Sequence, residues 1–87
     1  MEKIKVFVDW VDKNFGATLE EKVPGAVVAT DKTFEGLKNA IVSSISFHVE
    51  GMIKDKEEVP SWLTNREYVF EYVLTPAAQL HIGEGLA

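Results

Sequence analysis

From its first residues the chain alternates apolar and polar positions. Ile4, Val6, Val8 and Trp10 share one parity and Lys3, Lys5 and Asp9 the other, with Phe7 the apolar exception. This period of two predicts a strand over about 3–11 with one buried face. Asp12-Lys13-Asn14 supplies a turn, and Phe15, Ala17 and Leu19 alternate with Gly16, Thr18 and Glu20, so a second strand over about 15–22 should fold back as a hairpin. It ends before Pro24-Gly25. The short β-branched run Ala26-Val27-Val28-Ala29-Thr30 predicts a third strand over about 26–30.

The period then changes. Phe34, Leu37, Ile41, Ile45, His48 and Met52 recur at spacings of three and four, which predicts one face of a helix over about 34–54. Thr33 is placed to cap its start, and Glu35 stands in the first turn, where an acid suits the helix dipole. Val42, Val49 and Ile53 widen the apolar stripe, as expected if one helix must cover a whole sheet. Asp55-Lys56-Glu57-Glu58 closes the helix as a solvated charge run, and Val59-Pro60 turns the chain into a linker through Ser61-Trp62-Leu63-Thr64-Asn65. Tyr68, Phe70, Tyr72 and Leu74 restore the period of two and predict a fourth strand over about 67–74 with an aromatic face. Thr75-Pro76 caps and opens a short helix over about 76–82, ended by Gly83-Glu84-Gly85.

The order β-β-β-α-β-α predicts a single α+β domain over 1–87, a two-layer sandwich with one long helix on a mainly antiparallel sheet. The pattern leaves open whether the fourth strand joins the sheet at an edge or in the middle.

Length and charge narrow the function classes. A chain of 87 residues buries only about 60–65% of its unfolded surface, so shared apolar surface, and with it a homo-oligomer, is expected. Nine basic against fourteen acidic residues give a net charge of −5, spread along the chain, which disfavours direct nucleic-acid binding and suits docking on a basic protein. The absence of cysteine excludes disulfides, a thiol nucleophile and thiolate zinc sites. Apolar runs fall far short of the roughly 20 residues a bilayer span requires, so a cytoplasmic protein without membrane contact is expected.

Candidate chemistry is sparse. Asp9, Asp12 and Asp31 fit strand, turn and pre-cap positions better than a shared cation site, so no metal and no cofactor are expected. His48 lies on the apolar stripe, where a hydrogen-bonded, partly buried imidazole is the ordinary explanation. His81 stands near the end of the second helix, and neither histidine has a nucleophile or acid at motif spacing. No enzymatic activity is expected. Tryptophan is enriched in binding hot spots, which singles out Trp10, Trp62 and the adjacent Leu63 as candidate partner-binding residues. Trp10 reads more simply as core; Trp62 fits core and interface equally.

Val23-Pro24-Gly25 after a hairpin, Asp31-Lys32-Thr33-Phe34-Glu35 opening a long helix, a Pro-Ser-Trp linker and the strand Tyr68-Val69-Phe70-Glu71-Tyr72 together resemble the HicB-type antitoxins. The resemblance spans residues 3 to 82 and lies in the order and spacing of common motifs rather than in any one of them. It implies a protein that binds and neutralises a small basic HicA-like toxin, an RNA-cleaving protein that works through a histidine. Many HicB proteins continue into a DNA-binding module; this chain stops at Ala87, so operator binding is not implied. A free-standing regulatory or ligand-binding domain of the same fold, without a toxin, is the alternative. Gly36 departs from the helix former expected in the first turn, at a cost of up to about 1 kcal/mol against alanine.

Overall fold

The computed structural model describes residues 1–25 and 27–83. Its elements are β1 (Glu2–Val11), β2 (Asn14–Leu19), β3 (Val28–Asp31), α1 (Phe34–Lys54), α2 (Ser61–Thr64), β4 (Tyr68–Leu74) and α3 (Pro76–His81). Among the described residues they form an α+β fold around one four-stranded sheet in the order β3-β2-β1-β4. β1 pairs antiparallel with β2, β2 antiparallel with β3, and β1 parallel with β4. The fourth strand is therefore an edge strand, reached by the crossover through α1 that a parallel pair requires.

The hairpin between β1 and β2 is tight. Val11 pairs with Asn14, leaving Asp12 and Lys13 as a two-residue loop, both at positive φ (52° and 67°), as a type I′ turn demands. Asn14 thus begins the strand instead of completing the turn. β2 stops at Leu19, short of the expected 22, because the chain is held differently from there on. The Glu20 N–H donates to the Lys5 carbonyl (3.1 Å), while the Glu20 carboxylate accepts from the Lys5 N–H. Glu20 thereby serves the edge of β1 with both backbone and side chain. β3 begins at Val28 and reaches Asp31; Ala26, expected as its first residue, lies outside the described residues, as do Glu84 and Gly85 of the expected helix stop.

The start of α1 explains Gly36. The Thr33 hydroxyl accepts from the Gly36 N–H (3.0 Å), and the Asp31 carboxylate accepts from the Thr33 N–H (3.0 Å). A Cβ on Gly36 would collide with that carboxylate. Glycine stands in the first turn because Asp31 occupies the space a side chain would need. At the other end, the Glu57 N–H donates to the Met52 carbonyl (2.9 Å) and the Lys56 N–H to that of Ile53 (3.1 Å), with Lys56 at φ 58°. This is a Schellman motif made with lysine where glycine is usual. The segment expected as a linker forms α2, closed the same way by Glu67 on Trp62 (2.8 Å) and Arg66 on Leu63 (3.3 Å), with Arg66 at φ 56°.

The core lies between α1 and one face of the sheet: Ile4, Val6, Val8, Phe15, Ala17 and Ala29 from the strands meet Leu37, Ile41 and Ile45 from the helix. None of the described polar or charged residues is buried. No helix among the described residues is long and apolar enough to cross a membrane.

Candidate interaction surface

One helix is about 10–12 Å wide and strands lie about 4.8 Å apart, so α1 cannot roof four strands. It packs chiefly over β3 and β2. The expectation that it covers the whole sheet is corrected accordingly. At the far edge, the inward residues of β4, Tyr68, Phe70, Tyr72 and Leu74, stay half-buried instead of forming closed core.

These side chains belong to a continuous run of rings. Trp62 meets Tyr68 edge-on (centroids 6.3 Å apart), Tyr68 meets Phe70 (5.5 Å), Phe70 meets Tyr72 (6.1 Å) and Tyr72 meets Phe34 (5.3 Å). The run continues inward through Phe15 to Trp10, which stacks on His81 at 4.3 Å and 14°. Two elements anchor the outer half: α2 presents Trp62 at one end, and the first residue of α1 presents Phe34 at the other. Lys38 lies over the Phe34 ring (5.4 Å) and pairs with Glu35 (2.9 Å). Burial pushes the Tyr72 phenol above its ordinary value, with the Lys38 ammonium pulling weakly the other way.

Among the described residues, no helix lies on the opposite face of the sheet. The strand registers align Val28, Thr18, Phe7 and Val73 in one row across all four strands, and Thr30, Gly16 and Asp9 in the next. Phe7 is 45% exposed, Val73 42% and Val28 61%. Gly16 leaves a hollow beside Phe7 and Thr18, part of an open trough of about 550 Å³. At its end the Asp9 carboxylate accepts from the Thr75 hydroxyl (2.8 Å), and that hydroxyl accepts in turn from the Ala78 N–H (3.2 Å), tying β1 to the start of α3.

Of the residues singled out in the sequence, Trp62 sits half-buried at the outer end of the aromatic run, while Leu63 is 2% exposed. Leu63 is a core residue and offers no surface to a partner; its place on α2 turns it into the core while the adjacent tryptophan stays half-buried at its edge. Trp10 is half-buried between Phe15 and His81, at the other end of the run from Trp62. His48 Nε2 donates to the Pro24 carbonyl, and its ring lies where a Cβ on Gly25 would be, so the imidazole pins the turn after β2 to α1. Asp9, Asp12 and Asp31 do not converge, and no group of potential metal ligands occurs among the described residues. Sequence reasoning missed Phe7 as a surface residue at the centre of the open face; its break in the alternation of β1 was the signal.

No protein-family model matches the chain, and no solved structure matches it. A stretch of 47 residues is 43% identical to the uncharacterized 14.9 kDa protein in the rep-hol intergenic region of Haemophilus phage HP1. The match covers 54% of this chain and 35% of that protein, so the chain spans about a third of the length of the relative it matches.

Proposed function

We propose that this chain is an antitoxin-like protein that binds a small, basic HicA-like toxin and silences its RNA cleavage by covering the active surface. The observation that carries the reading is the half-covered aromatic strip formed by Trp62, Tyr68, Phe70, Tyr72 and Phe34 on an acidic chain of net charge −5. Aromatic side chains are the residues most enriched in interface cores, and acids at the rim attract a surface built to hold RNA. Glu35 stands exposed beside one end of the strip, and Glu57, Glu58 and Glu67 stand exposed around the segment that carries Trp62. The motif order that resembles HicB proteins points to the class of partner.

A second reading, a regulatory or ligand-binding domain of the same fold without a toxin, is favoured by the open trough of about 550 Å³, a volume within the range of small-molecule sites. The two differ in whether a small basic protein is encoded beside this one.

Binding kinetics with a small basic HicA-like toxin test the proposal. Association should slow as salt rises, because rim charges mainly set the on-rate. Trp62→Ala should speed dissociation by an amount worth about 2 kcal/mol, on the order of thirtyfold, with an unchanged circular dichroism spectrum. Absence of binding by the wild-type chain defeats the toxin reading; normal binding by the variant moves the anchor off the strip.

A further inference from the structure

We infer that two copies of this chain associate through the free edge of β4, the two β4 strands pairing antiparallel about a two-fold axis at Phe70 to join both four-stranded sheets into one. The contact is made by the strand backbone, so it stands whether or not the aromatic strip binds a toxin.

Two hydrogen bonds fix which way the backbone groups of β4 point. The Glu67 carbonyl accepts from the Glu2 N–H (3.1 Å), and the Thr75 N–H donates to the Val8 carbonyl (3.0 Å). Successive residues of a strand turn their N–H and C=O groups to opposite sides, so Val69, Glu71 and Val73, which lie between these two, also face β1. Tyr68, Phe70, Tyr72 and Leu74 therefore point theirs away from the sheet. The Leu74 carbonyl is taken, because it accepts from Gln79 Nε2 (3.3 Å). Among the described residues, no hydrogen bond reaches the outward groups of Tyr68, Phe70 and Tyr72.

Such an edge is a template for another extended chain, and proteins commonly guard it by shortening the strand, bending it or placing lysine or proline on it. β3, at the other side of the sheet, spans four residues. β4 spans seven, Tyr68–Leu74, with no proline, no lysine and no residue at positive φ.

The strand identifies its own occupant. Its three free residues are symmetric about Phe70, so a second β4 meets every one of them: Phe70 lies opposite Phe70 of the other copy, Tyr68 opposite Tyr72 and Tyr72 opposite Tyr68, each pair exchanging both N–H and C=O groups. The same register sets ring against ring on the helix side of the sheet, where cross-strand aromatic pairs are favourable, and Val69 against Glu71 on the other side. Neighbouring registers fail. An axis at Glu71 sets that carboxylate on its own copy, and an axis at Tyr72 needs the Leu74 carbonyl that Gln79 holds. An axis at Val69 sets Tyr72 against Arg66, whose left-handed backbone (φ 56°) lies before the strand begins.

Sedimentation equilibrium of the full chain from micromolar to near-millimolar concentration tests this, with circular dichroism to confirm that each variant is folded. The wild type should dimerise, and the Phe70 and Tyr72 amides should become protected from hydrogen exchange as it does. Val69→Glu changes an outward side chain that lies beside Lys3 in its own sheet, and it should weaken the dimer by about tenfold or more by setting glutamate against Glu71 at two places. Val69→Lys, facing the same Glu71, should dimerise at least as well as the wild type. A monomeric wild type would leave the edge to a strand of some other protein and would overturn the inference. So would a dimer whose Phe70 and Tyr72 amides stay unprotected, a Val69→Glu variant that dimerises normally, or a Val69→Lys variant weakened as much as Val69→Glu.

Discussion

Gly36→Ala should destabilise this protein, against the ordinary rule for a helix. In an unconstrained first turn, alanine would gain up to about 1 kcal/mol over glycine. Here the added Cβ meets the Asp31 carboxylate, which must rotate away and give up its bond from the Thr33 N–H (3.0 Å) and its longer contact with the Thr33 hydroxyl (3.4 Å). A hydrogen bond to a charged group contributes about 1.5–3 kcal/mol, and partial exposure places this one near the lower end. Loss exceeds gain by roughly 0.5–1 kcal/mol, which in a domain this small lowers Tm by about 3–6 °C. The decisive comparison is made in an Asp31→Ala background, where the obstruction is gone. There the same Gly36→Ala change should become stabilising, reversing sign. Urea unfolding of the four proteins in the cycle measures the coupling directly. If Gly36→Ala stabilises the wild type, or if the two changes add within about 0.3 kcal/mol, the steric explanation of this glycine is wrong.

Leu63→Ala should cost about 2–5 kcal/mol of stability by opening a cavity in the core, whereas Trp62→Ala should cost less and act mainly on binding; denaturant unfolding of both separates the neighbours. Burial holds the Tyr72 phenol above its usual value near 10, so the folded state keeps a proton that the unfolded chain releases first. The corresponding stability is fully present below pH 10 and is lost as pH rises through the raised value; Tyr72→Phe should flatten that part of the stability–pH curve, and an unchanged slope would contradict the assignment.

Much of the fold was legible because its signals are local. The alternation of Ile4, Val6, Val8 and Trp10, the cap at Thr33 and the helical stripe through Leu37, Ile41, Ile45 and Met52 each follow from side chains that choose a face or end a turn. The alternating aromatics of β4 were equally clear as a strand, but their degree of burial was not, since it depends on which strands α1 overlies. Likewise no local pattern states that β4 runs parallel beside β1 at the edge. The end of α1 was legible from its charge run, but the left-handed closures at Lys56 and Arg66 escaped notice because the usual marker, glycine, is missing there. The helical turn of α2 was hidden for the same reason, and with it the burial of Leu63, whose direction is set by that turn. Trp62 could be picked out by residue type alone; the ring contacts that make it one end of a strip required the three-dimensional arrangement of α2, β4 and α1.

The proposed function is that this chain silences an RNA-cleaving toxin by occupying its active surface. It is tested most directly by titrating the wild-type protein into a small basic HicA-like toxin while following cleavage of a labelled RNA. The account predicts that cleavage falls linearly to zero at a stoichiometric ratio, and that Trp62→Ala requires a clear excess to reach the same inhibition. Cleavage that continues unchanged in the presence of excess wild-type protein would contradict it.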